Sequence, residues 1–243
     1  MGGAGPSSGG PGGVPGRWRQ TFGDEFDGPS LDTSRWRPNR SGGANLDGAF
    51  NSEREGAFFS PANVGLRDSC AVLSIRPDVR SVAGVRYSHS SGTISTQGHF
   101  ELCDPCYVEA RIRVPRGDGL LPAMWTVPDD AWPPEIDVFE FYDTNAESRP
   151  SFNYHFANGG QSGVTAYGDP GVDYRDSWHT YGLLRSGGCL TPYLDGVGHA
   201  DVSAVGADRI PQFLILNLAV YAGRHPTADA EMLIDWVRAW RQY

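Results

Sequence analysis

The stretch Trp132-Pro133-Pro134-Glu135-Ile136-Asp137-Val138-Phe139-Glu140-Phe141 interleaves acids with apolar residues. On an extended strand, positions two apart point the same way, so Glu135 and Asp137 share one face and Ile136 and Val138 the other. Strict alternation would carry Glu140 to the apolar side, where an unpaired carboxylate is expensive. A one-residue bulge between Asp137 and Glu140 resolves the conflict by absorbing the extra residue and returning Glu140 to the acidic face.

That arrangement has chemical consequences. With the bulge, the two glutamates stand about four effective steps apart, roughly 13 Å between backbones at ~3.3 Å per residue. Side chains leaning inward bring their carboxyls toward the roughly 5–5.5 Å separation of a retaining glycosidase pair, whereas an inverting pair needs a wider gap. Crowded carboxylates cannot all ionise freely at neutral pH, so one stays protonated as a donor while another remains a nucleophile, and the group titrates as a unit. The plain alternative is a solvated strand face that happens to be acidic. Trp125 and Trp132 flank the strand and weigh against it, because sugar sites combine carboxylates with large apolar side chains; singly, each Trp could be packing.

Outward from this segment, strand-like runs recur about every ten residues between Gly, Pro, Asp and Asn. They are Trp18–Phe22, Ala71–Arg76, Gly92–Ser95, Tyr107–Val114, Ala123–Val127, Ile136–Phe141, Ser151–Phe156, His179–Arg185, Leu190–Leu194, Phe213–Val220 and Glu231–Trp240. So many strands exceed one flat sheet, which predicts two stacked sheets. In Tyr107–Val114, Val108, Ala110, Ile112 and Val114 are expected to face a core and Glu109, Arg111 and Arg113 water. The turn Asp195-Gly196 signals a hairpin. A chain of 243 residues suits one domain of this class. The Gly/Pro/Ser-rich residues 1–16 read as a flexible linker, lacking the apolar run of a signal peptide, and residues 17–243 as the catalytic domain.

The net charge is -9, and all 20 basic residues are scattered arginines. A basic face for phosphate is missing, so nucleic acid is an unsuitable partner. The longest apolar candidate, Phe213–Tyr221, falls short of the roughly 18 residues that cross a bilayer, so no membrane partner is expected. Cys103-Asp104-Pro105-Cys106 lies between two strand-like runs and predicts a local disulfide; Cys70 and Cys189 stand alone, which disfavours zinc. Disulfides would fit an oxidising compartment.

The acidic stretch resembles the signature of glycoside hydrolase family 16 in its bulged, laminarinase-like form. Further blocks follow in family order: Thr21–Gly28, Ser91–Gly98, Cys106–Pro115, Leu121–Val127, Ser177–Leu183, Tyr193–Val197, Leu214–Ala219 and Asp235–Trp240. The likeness runs from Trp18 to Tyr243. It implies an all-β, two-sheet antiparallel jelly-roll sandwich, similar to concanavalin A, with a groove open at both ends. It implies a secreted enzyme that cuts β-1,3- or β-1,3-1,4-glucan internally with retention, Glu135 as nucleophile, Glu140 as acid and base and Asp137 assisting. Trp125, Trp132, His155 and Asn51 become candidate sugar contacts, and a polysaccharide the expected partner of a monomeric chain. The reaction requires no cofactor, and the resemblance adds a structural Ca²⁺ with Asp235 among its ligands. Departures exist: Thr93 replaces an arginine usual in the family, and the residues after Asn51 and Glu53 diverge. Agar- and carrageenan-type galactans, transglycosylation and a non-catalytic carbohydrate-binding role remain the alternatives, as does a place in a larger assembly.

Overall fold

Period-two alternation becomes strand throughout the described residues. The computed structural model describes residues 10–39, 47–142, 148–164, 166–204, 210–224, 226 and 229–243. Among these the strands are β1 (Trp18–Asp24), β2 (Ala57–Phe59), β3 (Val64–Arg67), β4 (Cys70–Val82), β5 (Val85–Ser91), β6 (Thr93–Ser95), β7 (Cys106–Arg113), β8 (Leu120–Val127) and β9 (Glu135–Glu140). They continue with β10 (Ser151–Phe156), β11 (Gly160–Val164), β12 (Trp178–Ser186), β13 (Cys189–Leu194), β14 (Val197–Gly198), β15 (Val202–Ser203), β16 (Phe213–Val220) and β17 (Ala230–Gln242). Every run read from the sequence overlaps one of them.

Two sheets result. The smaller has six strands in the order β11-β10-β9-β8-β16-β6, and the larger, outer sheet runs β14-β13-β12-β7-β17-β4-β5-β2 with β1, β3 and β15 attached. Pairing among the described strands is antiparallel except between β2 and β5. The core lies between the sheets. Val108, Ala110, Ile112 and Val114 from β7 and the residue after it meet Ile136, Val138 and Phe139 of β9 and Leu214, Leu216 and Leu218 of β16 in one cluster. Each such large aliphatic or aromatic side chain contributes roughly 1.5–3 kcal/mol by leaving water.

Four expectations need correction. The outer face of β7 does not simply meet water. Tyr107 and Glu109 are buried there, with the Tyr107 hydroxyl donating to Glu109 at 3.1 Å. Tyr107 belongs to a second cluster with Trp18, Tyr193, Trp240 and Val14. That cluster also revises the expected linker: residues 1–9 lie outside the described residues, but Pro11 and Val14 are buried, so the packed domain begins ahead of residue 17.

The predicted Cys103–Cys106 disulfide is not formed, since all four cysteines are free thiols. Cys106 opens β7 pointing into the core, where burial pushes its thiol up to about 12, while Cys103 is exposed. Asp104 between them is drawn to the buried Arg185 at 2.7 Å. Finally, Asp235 on β17 is engaged by Arg111 of β7, with Oδ2 2.5 Å from Nη1. A guanidinium there repels a cation and takes an oxygen that calcium would need, so these residues do not fit the ion the resemblance implied.

Candidate active site

The site is built on β9 and the strands on either side of it. Against β8, Trp125 pairs with Asp137 and Met124 with Phe139, so Val138 has no opposite number. Against β10, Asn153 pairs with Asp137 and Ser151 with Glu140, again one residue short. This is the bulge that the acid spacing demanded. Ile136, Val138 and Phe139 are all completely buried in the core, so two consecutive residues turn inward and Glu140 emerges on the side of Asp137. The bulge carbonyl of Val138 leaves the ladder but accepts a hydrogen bond from the Tyr167 hydroxyl at 2.8 Å, which avoids an orphaned buried acceptor.

The acids are electrostatically linked. Asp137 is held well above the usual carboxylate range, first by burial and then by the charges of Glu140 and Glu135, and it hydrogen-bonds to Glu140. Glu140 is raised too; burial is the largest cause, opposed by hydrogen bonds from Tyr142 and Asn153. His155, on β10, aims Nε2 at Asp137 Oδ2 at 3.1 Å and at Glu135 Oε1 at 3.7 Å. One oxygen each from Glu135 and Asp137 and one ring nitrogen of His155 lie within 4.8 Å of one another. Such a cluster can hold a proton on one member while another stays ionised.

The two tryptophans differ. Trp132 is 60% exposed, donates from Nε1 to Glu135 Oε2 at 3.1 Å and stands 6.4 Å from the His155 ring. It offers an open aromatic face beside the acids. Trp125 is 8% exposed, packs against Phe50 and donates to Asn217 Oδ1 at 2.6 Å, so it forms floor more than platform. Asn51 serves its own loop: its backbone N–H donates to Glu55, and its side-chain oxygen accepts from the Glu53 N–H at 3.2 Å. These hydrogen bonds thus go to Glu53 and Glu55 of that loop. Thr93 is buried, its hydroxyl donating to the Leu216 carbonyl at 3.1 Å.

Sequence reasoning overlooked Asn153, Tyr142 and Gln161. Asn153 was within reach of it, since it stands two positions before His155 in a strand and must share its face. Tyr142 lies past the end of β9, where alternation says nothing. Gln161 sits on the edge strand β11, opposite His155, in a Gly- and Ser-rich run without apolar periodicity.

Comparison with known proteins places these features in a lineage. Glucan endo-1,3-beta-glucosidase A1 of Niallia circulans is 30% identical over 90% of this chain and 37% of its own length. Endo-1,3-1,4-beta-glycanase EglC of Rhizobium meliloti (strain 1021) is 26% identical over 91% of this chain and 51% of its own. The chain thus spans about half or less of these curated relatives. Among solved structures, the endo-beta-1,3-glucanase of Pyrococcus furiosus aligns with a TM-score of 0.76 at 26% identity, over 93% of this chain and 95% of that one. Residues 59–238, bulged strand included, match the sequence profile of Glycosyl hydrolases family 16, and the chain belongs to that family.

Proposed function

We propose that this chain is an endo-acting glycoside hydrolase that cleaves β-1,3- or mixed-linkage β-glucan with retention of anomeric configuration. The observation that carries the reading is the bulge in β9, which sets Glu135, Asp137 and Glu140 on one side of the sheet with Trp132 open beside them. In the first step Glu135 attacks the anomeric carbon, and Glu140 gives its proton to the departing glycosidic oxygen as that bond breaks. In the second, Glu140 takes a proton from water, whose oxygen displaces Glu135 and frees the sugar. Asp137, bridging to Glu140 and to His155 Nε2, steadies both acids while the charge moves between them. Trp132 supplies an aromatic face for a sugar ring. The glucan names carried by the Niallia and Rhizobium relatives support the choice of substrate. That a long glucan does not cross membranes supports a site of action outside the cell.

Incubation with laminarin, lichenan and agarose, read by mass spectrometry and early proton NMR, tests the reading. Oligosaccharides released from the two glucans as β-anomers are expected, and Glu135→Gln should lower kcat at least about 10³-fold. Initial α-anomers would sink retention. Cleavage of agarose alone would sink the substrate assignment. Undiminished turnover by Glu135→Gln would sink the assigned nucleophile.

A further inference from the structure

Glu140 is gripped by neutral side chains, none of them part of the acid cluster. Asn153 Nδ2 donates to Glu140 Oε2 at 2.8 Å, and the Tyr142 hydroxyl donates to the same oxygen. Asn153 Nδ2 also reaches Tyr142 Oη at 2.8 Å, which ties the two donors together. An ionised carboxylate only accepts, so Asn153 turns Nδ2 toward Glu140, and the Gln161 amide matches that orientation, its Nε2 donating to Asn153 Oδ1 at 2.9 Å. Oε2 is thus held by two donors at once, while Asp137 also hydrogen-bonds to the carboxyl.

We propose that Asn153, oriented by Gln161, and Tyr142 are positioning residues that pin Oε2 of Glu140 and set the pH above which it no longer works as the acid. The proposal rests on Glu140 being the acid of the reaction proposed above. The titratable groups facing Glu140 are few. Asp137 and Glu135 belong to its own strand and Tyr142 follows β9; one step further out, His155 of β10 faces Asp137 and Glu135, and Tyr221 after β16 faces Tyr142. Residues 120–127 of β8 and 160–164 of β11 add none. Donation to a carboxylate favours its charged form, so both donors act against the burial that raises Glu140. Losing a donor therefore raises Glu140 further and moves the alkaline limb of activity to higher pH.

The test is a carbon-detected NMR titration of the glutamate carboxyls in the whole chain, with Glu140→Gln for assignment. The Glu140 midpoint is expected to rise by about one pH unit in Asn153→Ala. A rise at least as large is expected in Tyr142→Phe and a smaller one in Gln161→Ala. The alkaline limb of kcat/KM on laminarin should shift in the same direction, with the fall in activity at pH 5 smaller than any loss in melting temperature would explain. A midpoint unchanged or lowered in these variants overturns the proposal. Should Asn153→Ala fail to fold, Gln161→Ala decides, because Gln161 is exposed on the edge strand. If the wild-type chain cleaves no glucan, the functional reading fails by itself, and the titration still reports whether these residues govern Glu140.

Discussion

At Asp137 a buried acid is stabilised in its protonated form, and this has a thermodynamic signature. Burial and the neighbouring glutamates raise its pKa in the folded chain above the unfolded value. The folded state therefore binds the proton more tightly. Its stabilising contribution is complete below the unfolded pKa and drains away as pH climbs through the folded one. Asp137→Asn removes that loss while keeping a donor toward Glu140. The variant is expected to melt a few degrees higher than wild type at pH 8 and at the same temperature at pH 4, with hydrolysis impaired; thermal unfolding at the two pH values checks this. The acid face itself was legible, because period-two geometry fixes which of Glu135, Ile136 and Asp137 look outward. The donors around Glu140 were less so. Asn153 is one polar residue among several in its strand, and only the pairing of β10 with β9 reveals what it touches.

At the level of the strand, the bulge obeys a parity rule that can be tested by deletion. Removing Val138 alone closes the bulge and leaves Asp137, Phe139 and Glu140 in simple alternation, so Glu140 still looks toward Asp137. Removing Val138 and Phe139 together puts Glu140 directly after Asp137 and so on the core side. Laminarin hydrolysis by the single deletion is expected to stay above that of Glu140→Gln, and the double deletion to fall to that level. Reducing-end release, alongside circular dichroism to monitor folding, measures both. The long strands β7, β16 and β17 were readable because their apolar positions recur over many residues. The short strands β2, β3, β14 and β15 were not: a run of two to four residues carries no period. The Cys103–Cys106 hairpin misled for a related reason. Proximity in sequence could not reveal that β7 turns Cys106 into the core and Asp104 toward Arg185.

Over the whole molecule, distant segments assemble surfaces that no local pattern announces. Val14 is a lone apolar residue in a Gly- and Pro-rich run, yet it packs among Trp18, Tyr107, Tyr193 and Trp240. Its partners lie far along the chain, which is why the segment read as a linker. The two-layer architecture, by contrast, followed from the number of strand-like runs alone. At the seam between β1 and β17, Trp18 sits opposite Gln242, and the Tyr243 N–H donates to the Arg17 carbonyl at 3.1 Å. The β12–β13 hairpin turns on Gly187 and Gly188, both at positive φ, the geometry of a tight two-residue loop. A circular permutant opened between those glycines and closed by a few residues joining the old ends is expected to fold and to keep its glucan-cleaving rate within about tenfold. Laminarin assays on the purified permutant check it. Because that seam belongs to the outer layer while the acids ride on the other, a bridge laid across it would run over the back of the molecule and leave the face that bears Glu135 and Glu140 unobstructed.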